Sequence, residues 1–210
     1  MKKYSLLCLL LLSVASIHAQ STKVKFNTYY GSFIVTLYDQ TPKHRDMFLA
    51  EIKKGTYTGA LFNRIVKDFV VQGGVHDDTV VLQQKQHPER TIPRLPGEFN
   101  PDIFHKKGTL GAGRDDNPQQ ASFLDQIYFV IGRKYTETQL DSLEQQKHIK
   151  IPASHRTFYK TNGGLPSLDG RYTIFGEITT GYQVIEKINQ LPTDNKEYPL
   201  KQVPFSVIIL

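Results

Sequence analysis

An arginine and a glutamine set among apolar residues are the first candidates for chemistry: Arg64 and Gln72, in Leu61-Phe62-Asn63-Arg64-Ile65-Val66-Lys67-Asp68-Phe69-Val70-Val71-Gln72-Gly73-Gly74. A guanidinium is always charged and donates hydrogen bonds in a fixed fork, so it can steady a group whose electron density changes during a reaction. Burying one without a partner is expensive, and its place in such a run asks for a reason. Read as extended chain, Arg64 and Val66 share a parity with Val70 and Gln72, with a break at Lys67-Asp68. Gly73-Gly74 lets the backbone turn sharply or lets another group approach closely. On this segment alone, a core strand whose arginine snorkels to the surface is the other reading.

Other constellations carry less. His76 stands beside Asp77 and Asp78, but no His-x-x-x-His or Glu-x-x-His spacing accompanies it, so no metal ligation is expected. The stretch from Gly108 to Gly113 is glycine-rich without the Gly-x-Gly-x-x-Gly order or a following Lys-Ser/Thr, which argues against a phosphate cradle. Ser154-His155 has no nucleophile-elbow context. Hydrolysis has no supporting site, and no cofactor is expected.

The elements that must position Arg64 and Gln72 are short. Lys23 to Tyr29 and Ser32 to Tyr38 flank Tyr30-Gly31 and alternate polar with apolar in part, which reads as a hairpin. Thr41 is an N-cap followed by Pro42 at the first helical position, Met47, Phe48 and Ile52 give an apolar face, and Gly55 a stop; the pattern predicts a helix over 42–54. Strands are expected at 60–66, 69–72, 108–112, 126–131, 172–178 and 205–210. Gly181 precedes a second helix with Val184, Ile185, Ile188 and Leu191 at helical spacing, ended by Pro192. Many short strands with two separated helices suggest a closed or nearly closed sheet whose ends the helices cover. Between 133 and 164, Thr136-Glu137-Thr138-Gln139 is a capping-box pattern and Leu140 and Leu143 form a narrow stripe. This predicts a short surface helix inserted in a loop, lying over the barrel or docking a partner.

At 210 residues the chain fits one domain with a substantial core. Lys2 and Lys3 precede a leucine-rich run from Leu6 to Val14, too short to span a bilayer, and Ile17-His18-Ala19 offers a small residue for cleavage before Gln20. The pattern reads as a secretory signal peptide over 1–19, a buried N-terminal helix being the alternative. Cys8, the one cysteine, falls inside that run, so the mature chain is expected to lack disulfides, a thiol nucleophile and cysteine-ligated metal. The formal charge is +6, and the basic residues are scattered among acidic neighbours such as Lys67-Asp68 and Arg114-Asp115-Asp116. No stripe suited to phosphates stands out, so nucleic-acid binding is not expected.

The run from Leu61 to Gly74 resembles the signature of cyclophilin-type peptidyl-prolyl isomerases, which pairs Phe-x-Arg with a following Phe and then Gln-Gly-Gly. Two further blocks resemble that family in order: Lys107-Gly108-Thr109-Leu110-Gly111-Ala112-Gly113 with Asp125-Gln126-Ile127-Tyr128-Phe129-Val130, and Leu168-Asp169-Gly170-Arg171-Tyr172-Thr173-Ile174-Phe175-Gly176-Glu177. The resemblance covers roughly Lys23 to Leu210 and is weakest between Val75 and Pro101 and across Arg133 to Gly164. It implies that Arg64 is the catalytic arginine, Phe69 the floor of a proline pocket, and Gln72 the glutamine that orients arginine and substrate. Val70 stands where many members have methionine. Gly113, Gln126, Tyr128, Leu168 and Tyr172 complete the implied substrate-binding set, with Tyr128 adding to a pocket aromatic a hydroxyl that needs a partner or water. Two departures stand out. Ser167 occupies a position where several members carry a tryptophan that packs on the inhibitor cyclosporin, which implies weakened cyclosporin binding, and Arg114 falls near a backbone-binding asparagine.

The fold this implies is mainly β: a closed eight-stranded antiparallel β-barrel capped by two α-helices, with an extra short helical insertion at about 133–164, all within a domain over 20–210. The function it implies is acceleration of X-Pro bond rotation in exported proteins, assisting folding in a bacterial periplasm or after secretion. The partners would be proline-containing unfolded or flexible polypeptides, met by a monomer with no membrane attachment in its mature form and no nucleic acid. A peptide-binding module or chaperone of the same fold with little or no turnover is the alternative, and Ser167 and Arg114 are the residues that favour it.

Overall fold

The computed structural model describes residues 21–210; the expected signal peptide and its cleavage point after Ala19 lie outside the described residues. Ten strands and five α-helices follow in order: β1 (Lys23–Thr28), β2 (Gly31–Leu37), α1 (Pro42–Lys54), β3 (Ala60–Ile65), β4 (Val70–Gly74), α2 (Asp77–Gln86), β5 (Arg94–Leu95), β6 (Thr109–Ala112), β7 (Ser122–Phe123), β8 (Gln126–Val130), α3 (Glu137–Lys147), α4 (Ala153–Thr161), β9 (Ile174–Thr180), α5 (Tyr182–Asn189) and β10 (Pro204–Ile209). Eight of the strands close into a barrel in the order β1-β10-β3-β4-β8-β6-β9-β2, while β5 and β7 form a separate two-stranded sheet. Every barrel pairing is antiparallel. Closure leaves the barrel itself without an edge strand to template association.

Alternation fills the barrel. Val24, Phe26, Phe33, Val35 and Leu37 point inward from β1 and β2 and are buried, as period-two chain requires. Phe26 stacks on Phe33 at 4.9 Å, Phe129 meets both edge-on, and Phe62 stacks on Phe205 at 4.3 Å. Offset and edge-on geometries are those the ring quadrupole favours. Helix α1 packs on β9 and β10, and α5 on β2 and β4, so the two helices expected from their apolar stripes cap the barrel.

The start of α1 differs from the sequence expectation. Thr41 holds the N-cap position without a side-chain cap bond, and its hydroxyl is buried without a partner. Glu98 does the work from a distant loop, its carboxylate accepting from the backbone N–H of Lys43 (3.1 Å) and of His44 (2.9 Å). An anion there satisfies orphan donors and the helix dipole together. Glu98 also accepts from Nδ1 of the buried His44 at 2.7 Å. Burial pushes His44 below the ordinary imidazole range despite that carboxylate, so at neutral pH the contact is a hydrogen bond from a neutral ring. Nε2, 3.2 Å from the Ser122 hydroxyl, is then the acceptor.

The insertion is also larger than expected. Two helices, α3 and α4, stand where the sequence predicts one. The capping box at Thr136 and Gln139 is formed in both directions, and the pair builds its own small core from Leu140, Ile151 and Tyr159. Arg156 on α4 bonds Glu137 and Asp141 on α3. Helix α4 escapes a stripe search because its buried positions are His155 and Tyr159, which do not read as apolar. Helix α2 escapes it because, of its described side chains, only Val80 is buried.

Candidate active site

Strands β3 and β4 bring the two starting residues face to face: Arg64 is opposite Gln72 in register, after an irregularity between Phe62 and Arg64. The turn between them is tight, with Val66 N–H on Val70 O (2.9 Å), Phe69 N–H on Val66 O (3.1 Å) and Asp68 in the left-handed region at φ 56°. Helix α5 holds it from outside. The buried Asn189 donates to Val66 O at 2.9 Å and accepts from Asp68 N–H at 3.3 Å, which fixes where Phe69 and Val70 emerge.

Strand β8 continues the site, with Gln72 opposite Tyr128 and Tyr128 in turn opposite Gly111 on β6. Two glycines there leave room for side chains. A Cβ on Gly111 would stand 2.2 Å from the Tyr128 ring, and one on Gly113 2.0 Å from Gln126 Oε1. Gln126 also donates to Val75 O at 3.1 Å.

Arg64, Phe69, Val70, Gln72, Gly113, Gln126, Tyr128, Leu168 and Tyr172 all line one cavity of about 350 Å³, together with Arg114. Ser167 does not. It lies in a neighbouring cleft shared with Thr138, Gln139 and Leu143 of α3. The cavity has an apolar side, where Val70, Tyr128, Leu165 and Ile174 are buried with Phe69, Leu168 and Tyr172 packed against them. Its polar side holds Arg64, whose Nη1 reaches Gln72 Oε1 at 3.5 Å. The Gln72 amide nitrogen is buried and has no acceptor in the structure.

Two features have no local sequence signal. Glu197, from the loop between α5 and β10, forms an ion pair with Arg64 Nη2 at 2.6 Å. Its backbone carbonyl accepts from Ile65 N–H at 2.9 Å, so the loop is pinned to β3 beside the arginine. Behind the cavity, Asp169 accepts from His105 Nδ1 (2.9 Å) and from the Tyr159 hydroxyl (2.6 Å), and His105 Nε2 lies 2.9 Å from the Tyr128 hydroxyl. With Nδ1–H directed at the carboxylate, Nε2 is left to accept from Tyr128. Burial holds the Tyr128 phenol well above its ordinary pKa. The hydroxyl thus finds its partner inside the protein. Among the described residues no group of three or more His, Cys, Asp or Glu side chains could hold a metal ion, and no helix is long and apolar enough to cross a membrane.

A family model described as "Cyclophilin type peptidyl-prolyl cis-trans isomerase/CLD" matches residues 23–208. The peptidyl-prolyl cis-trans isomerase CYP18-2 of Arabidopsis thaliana is 30% identical over 182 residues, which cover 86% of this chain and 88% of that one. A Streptococcus pyogenes protein whose description couples a phosphatase with a peptidyl-prolyl cis-trans isomerase is 29% identical over 192 residues; these are 89% of this chain and 38% of that longer protein. Among solved structures, a cyclophilin-type peptidyl-prolyl cis-trans isomerase of Cryptosporidium parvum shares the fold with a TM-score of 0.63 at 19% identity, covering 90% of this chain and 98% of its own. The same protein has been solved in the presence of the dipeptide Ala-Pro.

Proposed function

The chain belongs to the cyclophilin-type peptidyl-prolyl cis-trans isomerase family, and from that premise we propose that it accelerates rotation about X-Pro bonds with Arg64 as the donor that stabilises the twisted amide. Rotation makes and breaks no covalent bond, and its barrier of ~18–20 kcal/mol comes from the resonance that keeps C–N planar. Twisting returns the lone pair to the prolyl nitrogen. A donor aimed at that nitrogen binds the twisted state better than either planar state, and only such differential binding speeds the reaction. Phe69, Val70, Tyr128, Leu168 and Tyr172 receive the ring, the Gln72 amide donates to a peptide carbonyl, and Gln126 and Gly113 lie along the peptide backbone.

The observation that carries this reading is the convergence of the Arg64 guanidinium, the Gln72 side chain beside it and an apolar floor on one cavity. The Lys2-Lys3, leucine-run and Ala19 pattern supports delivery of the domain over 20–210 to a bacterial periplasm or exterior, with unfolded or flexible proline-containing polypeptides as substrates and the monomer as the working unit. One observation favours the second reading, a binding module without turnover: the carboxylate of Glu197 on Arg64 competes for the donor. A protease-free exchange measurement on a proline peptide separates the two. Acceleration of cis-trans exchange is the expected result; binding without acceleration would establish the module instead.

A further inference from the structure

We propose that Arg114 makes this site selective for polypeptides that carry an acidic side chain beside the proline. The proposal rests on the isomerase site described above and names its substrate class. Arg114 lines the same cavity as Arg64 and is only 8% exposed. Its guanidinium carbon lies 4.2 Å from the centre of the Tyr172 ring, while Nε donates to Arg171 O at 3.1 Å and Nη1 to Asp115 O at 2.7 Å. These partners are carbonyl dipoles and a ring face. They hold the fork in place and leave its charge unneutralised.

Buried guanidinium groups ordinarily face a carboxylate, and among the described residues none pairs with Arg114. Three acids near the site are engaged elsewhere. Asp115 gives both oxygens to Arg94 at 2.7 and 2.6 Å, Asp169 serves His105 and Tyr159, and Glu197 offsets Arg64. Of the two cations in the cavity wall, one is thus neutralised and the other is left for a ligand. A fixed positive charge in a cavity with low-dielectric walls attracts an anionic side chain and repels a cationic one, with little screening by salt. The specificity follows from both signs.

The test is a set of proline peptides with Glu, Ala or Lys placed in turn at each of the flanking positions, measured for exchange rate and, by fluorescence titration, for Kd. With the wild-type chain, the Glu peptide should exceed the Lys peptide in kcat/KM and in affinity on the order of tenfold at one position at least, the scale of one partly buried charge pair. Arg114→Gln should bring that ratio near unity, and Arg114→Lys should keep part of it. Should the Gln variant fail to fold, Arg114→Met, which keeps the apolar stem against Tyr172 and removes the charge, must bring the ratio near unity instead. Equal Glu and Lys peptides at every position, or a preference unchanged in Arg114→Gln, would overturn the proposal. If no peptide is turned over, the isomerase reading fails, and the Kd ratio still decides this one.

Discussion

Arg64 is held from two sides, by Gln72 on its own sheet and by Glu197 from a loop. The loop is built for the second contact: Asp194 accepts from the N–H groups of Lys196 and Tyr198, and Glu197 sits in the left-handed region at φ 68°, which a residue with a Cβ adopts only when its surroundings impose it. The pair is partly exposed, 30% for the arginine side chain and 41% for the glutamate, and such pairs add little to stability. Its value lies in aiming the fork. Glu197→Ala should therefore lower kcat by roughly tenfold with little change in KM, and leave the unfolding midpoint where it is. A gain in activity would show that the carboxylate holds the donor out of use. Tyr128→Phe makes the opposite split. It leaves the ring in the cavity but orphans His105 Nε2, so stability should fall by about 1–3 kcal/mol in urea unfolding while exchange activity is kept.

The residues of the site were legible as a set because they sit in short blocks whose order survives, and those blocks fold onto neighbouring strands. Glu197 was not, since nothing between it and Arg64 in sequence announces that a loop will return to β3. Arg114 was visible only as a departure, and its burial against Tyr172 is a tertiary fact. Leu168 lines the cavity, while Ser167 lies in the cleft beside the insertion.

Among the elements, α1 shows what sequence patterns cannot hold. Its bounds follow from Pro42 and Gly55, but its cap is Glu98, far along the chain. Burial alone would raise the Glu98 carboxyl; the bonds from the His44 ring and from the backbone of His44 and Lys43 outweigh it and leave the group below the ordinary carboxylate range. Its contribution is complete above the unfolded carboxylate pKa and is lost as pH falls through the lower folded value. His44 acts in the same direction: its folded pKa is depressed by burial, so protonation below the unfolded imidazole value of ~6.5 favours the unfolded chain. Stability should accordingly decline as pH drops below neutral and decline again in the acid range. Glu98→Ala should cost about 1–3 kcal/mol at pH 7 and flatten the acid limb, as read by urea unfolding across pH. An unchanged acid limb would remove Glu98 from that role.

At the scale of the whole molecule, barrel closure does most of the positioning. Arg64, Gln72 and Tyr128 come from three consecutive strands of it, β3, β4 and β8, so the site is set by the same pairings that shape the core. Period-two alternation and two apolar helices made that architecture readable, whereas the paired insertion helices, built on His155, Tyr159 and a charged seam, were not. The chain that reaches its working compartment is expected to begin at Gln20. Mass spectrometry of exported protein checks this, and an intact Met1 terminus would contradict it. The central claim is that Arg64 speeds rotation by donating to the twisted amide, and the most direct test is cis-trans exchange of a proline peptide measured without a coupling protease for wild type and Arg64→Ala, with circular dichroism to verify the fold. The account predicts a folded variant whose kcat/KM is lower by about 10²–10³-fold, the scale of losing one transition-state donor; a folded variant as fast as the wild type would contradict it.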